Sequence, residues 1–150
     1  MSLMARLTDD MKQAMKEREA GKFRLSVIRM ARASVKNVEI NERRELTDDD
    51  VVAILSKEVK MRRDSASEFA KAGRTDLAES TEAEITILME YLPKQLTSEE
   101  VEALVKQAVE QSQAASVREM GKVMAILMPQ LKGRADGKLV NELVRKALGA

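Results

Sequence analysis

The sequence predicts an all-α protein: a four-helix region over residues 1–93, then a three-helix bundle over 94–150. Three observations carry that prediction. Helix formers dominate, with ten Met among them, while Gly and Pro number only six and two. Apolar residues recur three and four apart along most of the chain, and no segment alternates as a half-buried strand does. Most of the few breakers and capping residues fall between the periodic segments rather than inside them.

The first helix is expected from Ser2, as N-cap, to Arg18, with Leu3, Leu7, Met11 and Met15 four apart. Gly21 breaks it. A second helix over Lys22–Asn41 buries Leu25, Ile28, Ala31, Val35 and Val38, and Arg29, Arg32 and Lys36 form a basic row beside that stripe. The row reads either as a solvated flank or as a contact for phosphates or an acidic partner. Thr47 opens the third helix, which runs to about Ala72 before Gly73. Its buried face is Val51, Leu55, Val59, Ala66 and Phe69, with Lys57, Lys60, Arg63 and Asp64 outward. Asp48, Asp49 and Asp50 fan out by about 100° each on a helix and do not converge on one ion. They favour the dipole of a helix start instead.

The fourth helix follows Thr75 or Asp76, turns Leu77, Ile85, Leu88 and Met89 inward, and stops at Tyr91-Leu92-Pro93, where Pro93 bars Leu92 from helix. Residues 93–96 are the candidate linker. Thr97-Ser-Glu-Glu100 is a capping box for the fifth helix, with Val101, Leu104, Val105 and Ala108 inward. Gln111 to Ala115 makes a polar connection. Ser116-Val-Arg-Glu119 reads as a second capping box, opening a sixth helix with Met120, Val123, Met124, Leu127 and Leu131 on one face. Met120, Met124 and Met128 are expected in the core, or else as an adaptable groove for a partner helix. Pro129 and Gly133 close that helix, and Asp136 caps a seventh with Leu139, Val140, Leu143 and Val144 inward.

Between the last two helices lies Lys132-Gly-Arg-Ala-Asp-Gly-Lys138, a glycine-spaced basic elbow. Its helix start suits an anion, but Asp136 competes for the same amides. It is no phosphate loop. Three residues rather than four separate its glycines, Leu139 stands where Ser or Thr should be, and a helix precedes it.

The run Met120–Val144, together with Tyr91-Leu-Pro-Lys-Gln-Leu96, resembles the tail domain of the GatB/YqeY family. Ser2-Leu3, Arg6-Leu7, Asp10-Met-Lys12 and Val27-Ile-Arg-Met30 extend the resemblance to a stand-alone YqeY-like member. Ala125 stands where relatives often have Gly. In the amidotransferase that converts Glu-tRNA(Gln) or Asp-tRNA(Asn) to the amide form, this domain closes the B subunit. The resemblance implies an accessory tRNA-binding module and a label of carbon–nitrogen ligase with glutamine as amido donor. It places the tRNA contact on Lys122, Lys132, Arg134, Lys138 and Arg145, with Arg29, Arg32 and Lys36 as a second patch. It also implies amidotransferase or aminoacyl-tRNA synthetase components as protein partners.

Composition narrows the chemistry. There is no Cys and no His, which removes thiolate chemistry, the usual general base and the usual zinc ligands. No metal or cofactor site and no nucleophile motif is visible, so no catalytic residue is assigned. Aromatics are 2% of the chain, which argues against base-stacking platforms. No 18-residue apolar run or signal peptide occurs, which makes a cytoplasmic, membrane-free protein the expectation. Charge is uneven: residues 1–46 carry 11 Lys/Arg and 7 Asp/Glu, 47–96 carry 7 and 11, and 118–150 carry 7 and 3. The competing reading is a helical protein–protein adaptor that touches no nucleic acid.

Overall fold

The computed structural model describes residues 1–149, and among them it is all-helical. The order is α1 (Leu3–Lys16), α2 (Lys22–Glu42), α3 (Asp48–Lys71), α4 (Thr75–Met89), α5 (Ser98–Ser112), α6 (Met120–Leu131) and α7 (Gly137–Ala147). The chain divides into two compact units, Met1–Leu92 and Pro93–Ala150.

In the first unit, α1 starts where Ser2 Oγ accepts from the Ala5 amide at 3.1 Å. It ends two residues earlier than the spacing suggests. Arg18 takes a left-handed backbone (φ 52°), and a tight 3-10 turn over Arg18–Gly21 leads into α2. Helix α2 runs one residue past its expected end and stops at Arg43, again left-handed. The core gathers Leu7, Val27, Ile28, Ala31, Val35, Val51, Leu55, Val59, Ile85, Leu88 and Tyr91. Each fully buried Leu, Ile or Val contributes about 1.5–3 kcal/mol relative to an exposed one. Leu25, Val38, Phe69 and Leu77, expected in that core, are only half-buried, and Met15 is exposed. In the last turn of α1 Ala14 takes the covered face, and Met15, about 100° further round the helix, is left outside it.

Helices α3 and α4 form a hairpin. Gly73 has φ 75°, the Arg74 amide donates to Phe69 O at 2.8 Å, and the Gly73 amide donates to Ala70 O at 3.1 Å. This pair of bonds satisfies the last carbonyls of α3 and needs a left-handed residue between them. Arg62 then ties the hairpin, donating to Glu58 on α3 at 2.6 Å and to Glu84 on α4 at 3.2 Å.

All three aspartates lie in the first turn of α3, and Asp50 completes its cap. Thr47 Oγ1 accepts from the Asp50 amide and Asp50 Oδ2 accepts from the Thr47 amide, a reciprocal cap. Asp48 accepts from the Leu3 amide at 3.1 Å. The Arg44 guanidinium, and then the Thr47 bonds, hold the Asp50 carboxyl far below its usual range. A depressed folded-state pKa stabilises the fold above the ordinary carboxylate pKa of about 4 and is lost as pH falls through the folded value. In wild type, protection of the first-turn amides of α3 should therefore decline as pH drops below about 4. In Asp50→Asn that step should be absent from hydrogen-exchange profiles.

At the end of α4, Tyr91 is buried and its hydroxyl donates to Asp10 on α1. The Arg6 guanidinium lies 4.7 Å from the Tyr91 ring centroid, a cation–π contact. Burial first, and then the Asp10 bond, push the Tyr91 phenol well above its ordinary value. Arg24 on α2 grips Glu90 with two bonds, at 2.6 and 3.2 Å. Residues far apart in sequence thus fix the last turn of the unit just before Pro93.

The second unit packs α5, α6 and α7 around Val101, Val105, Ala108, Val123, Leu127, Leu131, Val140 and Val144. Thr97 and Glu100 form the predicted capping box. The predicted box at Ser116 does not form. The chain makes a 3-10 turn over Val117–Glu119, and the Glu119 amide donates to Ser116 backbone O at 3.0 Å. That amide is then no longer free for the Ser116 side chain. The Glu119 carboxylate reaches the Ala115 amide instead, at 3.3 Å. Met120 and Met124 pack against the core, whereas Met128 is exposed.

Candidate nucleic-acid interface

The basic elbow is built by the ends of two helices. Pro129 sits inside the last turn of α6, where its missing donor weakens only the final bonds. Lys132 leaves the helix with an extended ψ of 119°, Gly133 turns left-handed at φ 73°, and the Arg134 amide donates to Leu131 O at 2.9 Å. Asp136 caps α7, its Oδ1 accepting from the Lys138 amide at 3.2 Å.

A second segment holds the elbow in place. The Leu96 amide donates to Arg134 O at 2.9 Å, Gln95 Nε2 donates to Gly133 O at 2.7 Å, and Arg134 Nε donates to Lys94 O at 3.4 Å. Two motifs of the family resemblance, 94–96 and 132–138, are therefore one structure. These bonds span 38 residues or more of sequence.

The fixed backbone brings Lys132, Arg134 and Lys138 to one corner. Lys132 and Lys138 are exposed and Arg134 is half-buried. None of the three forms an ion pair among the described residues. Arg145 lies two turns along α7 from Lys138, about 10 Å away, and is also exposed and unpaired among the described residues. Lys122 belongs elsewhere. It sits near the other end of α6, about 15 Å along the axis from Lys132, and approaches Glu119 at 3.9 Å. Because Asp136 occupies an amide of the α7 start, the elbow offers an anion side-chain charge rather than a free helix end.

On α2 the row divides. Arg29 is exposed, Lys36 is held by Glu39 at 3.0 Å, and Arg32 folds onto α1 with Nη1 3.1 Å from Met11 Sδ. Arg32 Nε is buried without a partner among the described residues. The row expected on a solvated ridge is thus not three free cations, because the flank at Arg32 is covered by α1.

Beside the elbow is a feature the periodicity did not reveal. An open groove of about 560 Å³ is lined by Leu96, Ala103, Leu104 and Pro129, with Glu100, Gln130 and Arg134 as its polar members. Among the described residues no group of three or more acidic, His or Cys side chains could hold a metal, and no helix is long and apolar enough to cross a membrane.

Residues 4–148 match the family described as Yqey-like protein. The chain belongs to the YqeY-like family. It is 32% identical over 151 residues to altered inheritance of mitochondria protein 41, mitochondrial, of Pyrenophora tritici-repentis, covering 99% of this chain and 82% of that one. A protein of the same name from Kluyveromyces lactis is 36% identical over 108 residues, 69% of this chain and 57% of the relative. A glutamyl-tRNA(Gln) amidotransferase subunit of Thermococcus gammatolerans is 42% identical over 57 residues, 35% of this chain and 9% of the relative. The YqeY-like resemblance is therefore established over nearly the whole chain, and the amidotransferase likeness is confined to a part. The cytoplasmic expectation draws no support from relatives whose names place them in mitochondria.

Proposed function

We propose that this YqeY-like chain is an accessory tRNA-binding module that grips phosphates by shape and carries no reaction centre of its own. Residues 94–150 form the tRNA-contacting, tail-like domain, and residues 1–93 form a separate helical domain. The observation that carries the reading is the elbow: Lys132, Arg134 and Lys138 stand at one corner without carboxylate partners among the described residues, on a backbone strapped to Lys94–Leu96. Cations carried on a fixed backbone turn can meet several phosphates of one chain without the backbone having to be ordered first. The partial likeness to a subunit of an amidotransferase named for glutamyl-tRNA(Gln) supports tRNA as the polyanion and amidotransferase components as companions. Of the eight cations assigned from sequence, the reading rests on Lys132, Arg134, Lys138 and Arg145. Lys122 and the α2 row contribute less, because Glu119, Glu39 and Met11 already engage Lys122, Lys36 and Arg32.

The test is filter binding of unmodified tRNA across a salt series. The logarithm of the affinity should fall linearly with log salt, and Lys132→Glu with Arg134→Glu should lower the affinity on the order of tenfold and flatten the slope by about two. Because Arg134 also bonds to Lys94, Lys132→Glu with Lys138→Glu provides a second pair that leaves the strap intact. Unchanged affinity in both pairs would remove the elbow from the contact.

A further inference from the structure

The six outward positions of α2 that follow a strict three–four spacing are Phe23, Ser26, Met30, Ala33, Asn37 and Ile40, and all six are exposed. Phe23 and Met30 are 42% and 43% exposed and Ile40 is 70% exposed, values far above those of the core face, where Val27, Ile28, Ala31 and Val35 are at most 2%. The spacing 23, 26, 30, 33, 37, 40 is the seam by which one helix meets another. It runs for about 26 Å, nearly five turns. Two small residues allow close approach, and Asn37 is the kind of lone polar residue that fixes register in such a seam.

The flanks are unequal. Lys22, Arg29 and Lys36 follow each other at seven-residue intervals along one edge, all exposed. Lys22 and Arg29 have no carboxylate partner among the described residues, and Lys36 shares its charge with Glu39 at 3.0 Å. Along the other edge Ser34 and Asn41 are uncharged. We propose that this outward face of α2 is a docking seam for an acidic amphipathic helix of a partner protein, with its carboxylates laid along the Lys22–Arg29–Lys36 edge. The tRNA reading rests chiefly on the elbow of the other unit, and the two claims share only Arg29 and Lys36 of the weaker α2 patch.

Charge selects this occupant over the alternatives. Two copies of α2 run antiparallel would set the cationic edges against each other. Run parallel, they would face each cationic edge with Ser34 and Asn41. The Glu58 carboxylate that Ser34 donates to at 3.0 Å is already held by Arg62 at 2.6 Å and offers little countercharge. A phosphate chain would gain from the cations but nothing from burying Phe23, Met30 and Ile40. A helix with an apolar seam and Glu or Asp on its edge satisfies both.

The experiment uses the full chain and two synthetic helical peptides with the same leucine seam, one with Glu and one with Lys along its edges. Binding is read by fluorescence anisotropy and by backbone amide shifts. The Glu peptide should bind and shift amides of α2. Ile40→Glu should weaken it about tenfold or more, as expected for a charge placed in an apolar seam. Arg29→Glu with Lys36→Glu should weaken the Glu peptide several-fold and improve the Lys peptide, a swap that mere loss of folding cannot produce. Equal binding of both peptides, or shifts confined to other helices, would overturn the proposal. So would concentration-dependent dimers in sedimentation that Ile40→Glu abolishes, which would assign the face to a second copy. Displacement of the Glu peptide by tRNA from α2 itself would assign the face to nucleic acid and would also overturn it.

Discussion

Gly21→Ala should be among the most destabilising single-methyl changes in the chain. A Cβ at this position would lie 2.2 Å from Ala14 O and 2.9 Å from Ala14 C, both backbone atoms at the end of α1. Neither can rotate away as a side-chain tip could. Gly21 is buried, and its own backbone (φ −95°, ψ −2°) is open to any residue. The need for glycine here is thus close approach and not a left-handed turn. Overpacking of this kind costs roughly 1–3 kcal/mol, and a fixed backbone neighbour puts Gly21 at the upper end. In a unit the size of Met1–Leu92 that lowers Tm by roughly 4–8 °C per kcal/mol. Gly121→Ala is the control. It is helical with open space around the added methyl, and it should be neutral or slightly stabilising in the same thermal or urea melts.

That contrast marks where the sequence stops being informative. Periodicity and capping residues place the helices well, and Ser2, Thr47, Thr97 and Asp136 all make their predicted side-chain caps. Those signals are local, so a single chain carries them. Gly21 reads in sequence as a breaker, but its reason is a neighbour seven residues away across a turn. At Ser116 the same motif that works at Thr97 fails, because a 3-10 bond competes for the amide. The basic elbow was visible as glycine-spaced cations. Its strap to Lys94–Leu96 was not, since hydrogen bonds across 38 residues leave no periodic trace. Nor was the seam on α2. Once one stripe of an amphipathic helix is assigned to the core, the opposite face looks merely solvated. Only the packing shows that Phe23, Met30 and Ile40 are left uncovered together.

Leu127→Ala should strip the second unit of most of its stability while leaving the first intact. Leu127 is fully buried, at the centre of a cluster with Val101, Val105, Val123, Val140 and Val144. Truncating a buried leucine costs about 2–5 kcal/mol, depending on how far the cavity collapses. A unit this small has little in reserve, because it buries a smaller share of its surface than a larger domain does. The two core clusters share no residue. Amides of α5–α7 should therefore lose hydrogen-exchange protection in the variant, while those of α1–α4 keep theirs; uniform loss along the chain would show that the two cores unfold as one. The same variant separates scaffold from charge in the tRNA binding proposed above. Below its lowered melting point, Leu127→Ala should bind tRNA as wild type does, since Lys132, Arg134 and Lys138 still stand on a strapped turn. Above that temperature binding should vanish with the fold. Charge reversal at Lys132 and Lys138 should instead weaken binding at every temperature without moving the melt, because those two side chains meet solvent and not the core.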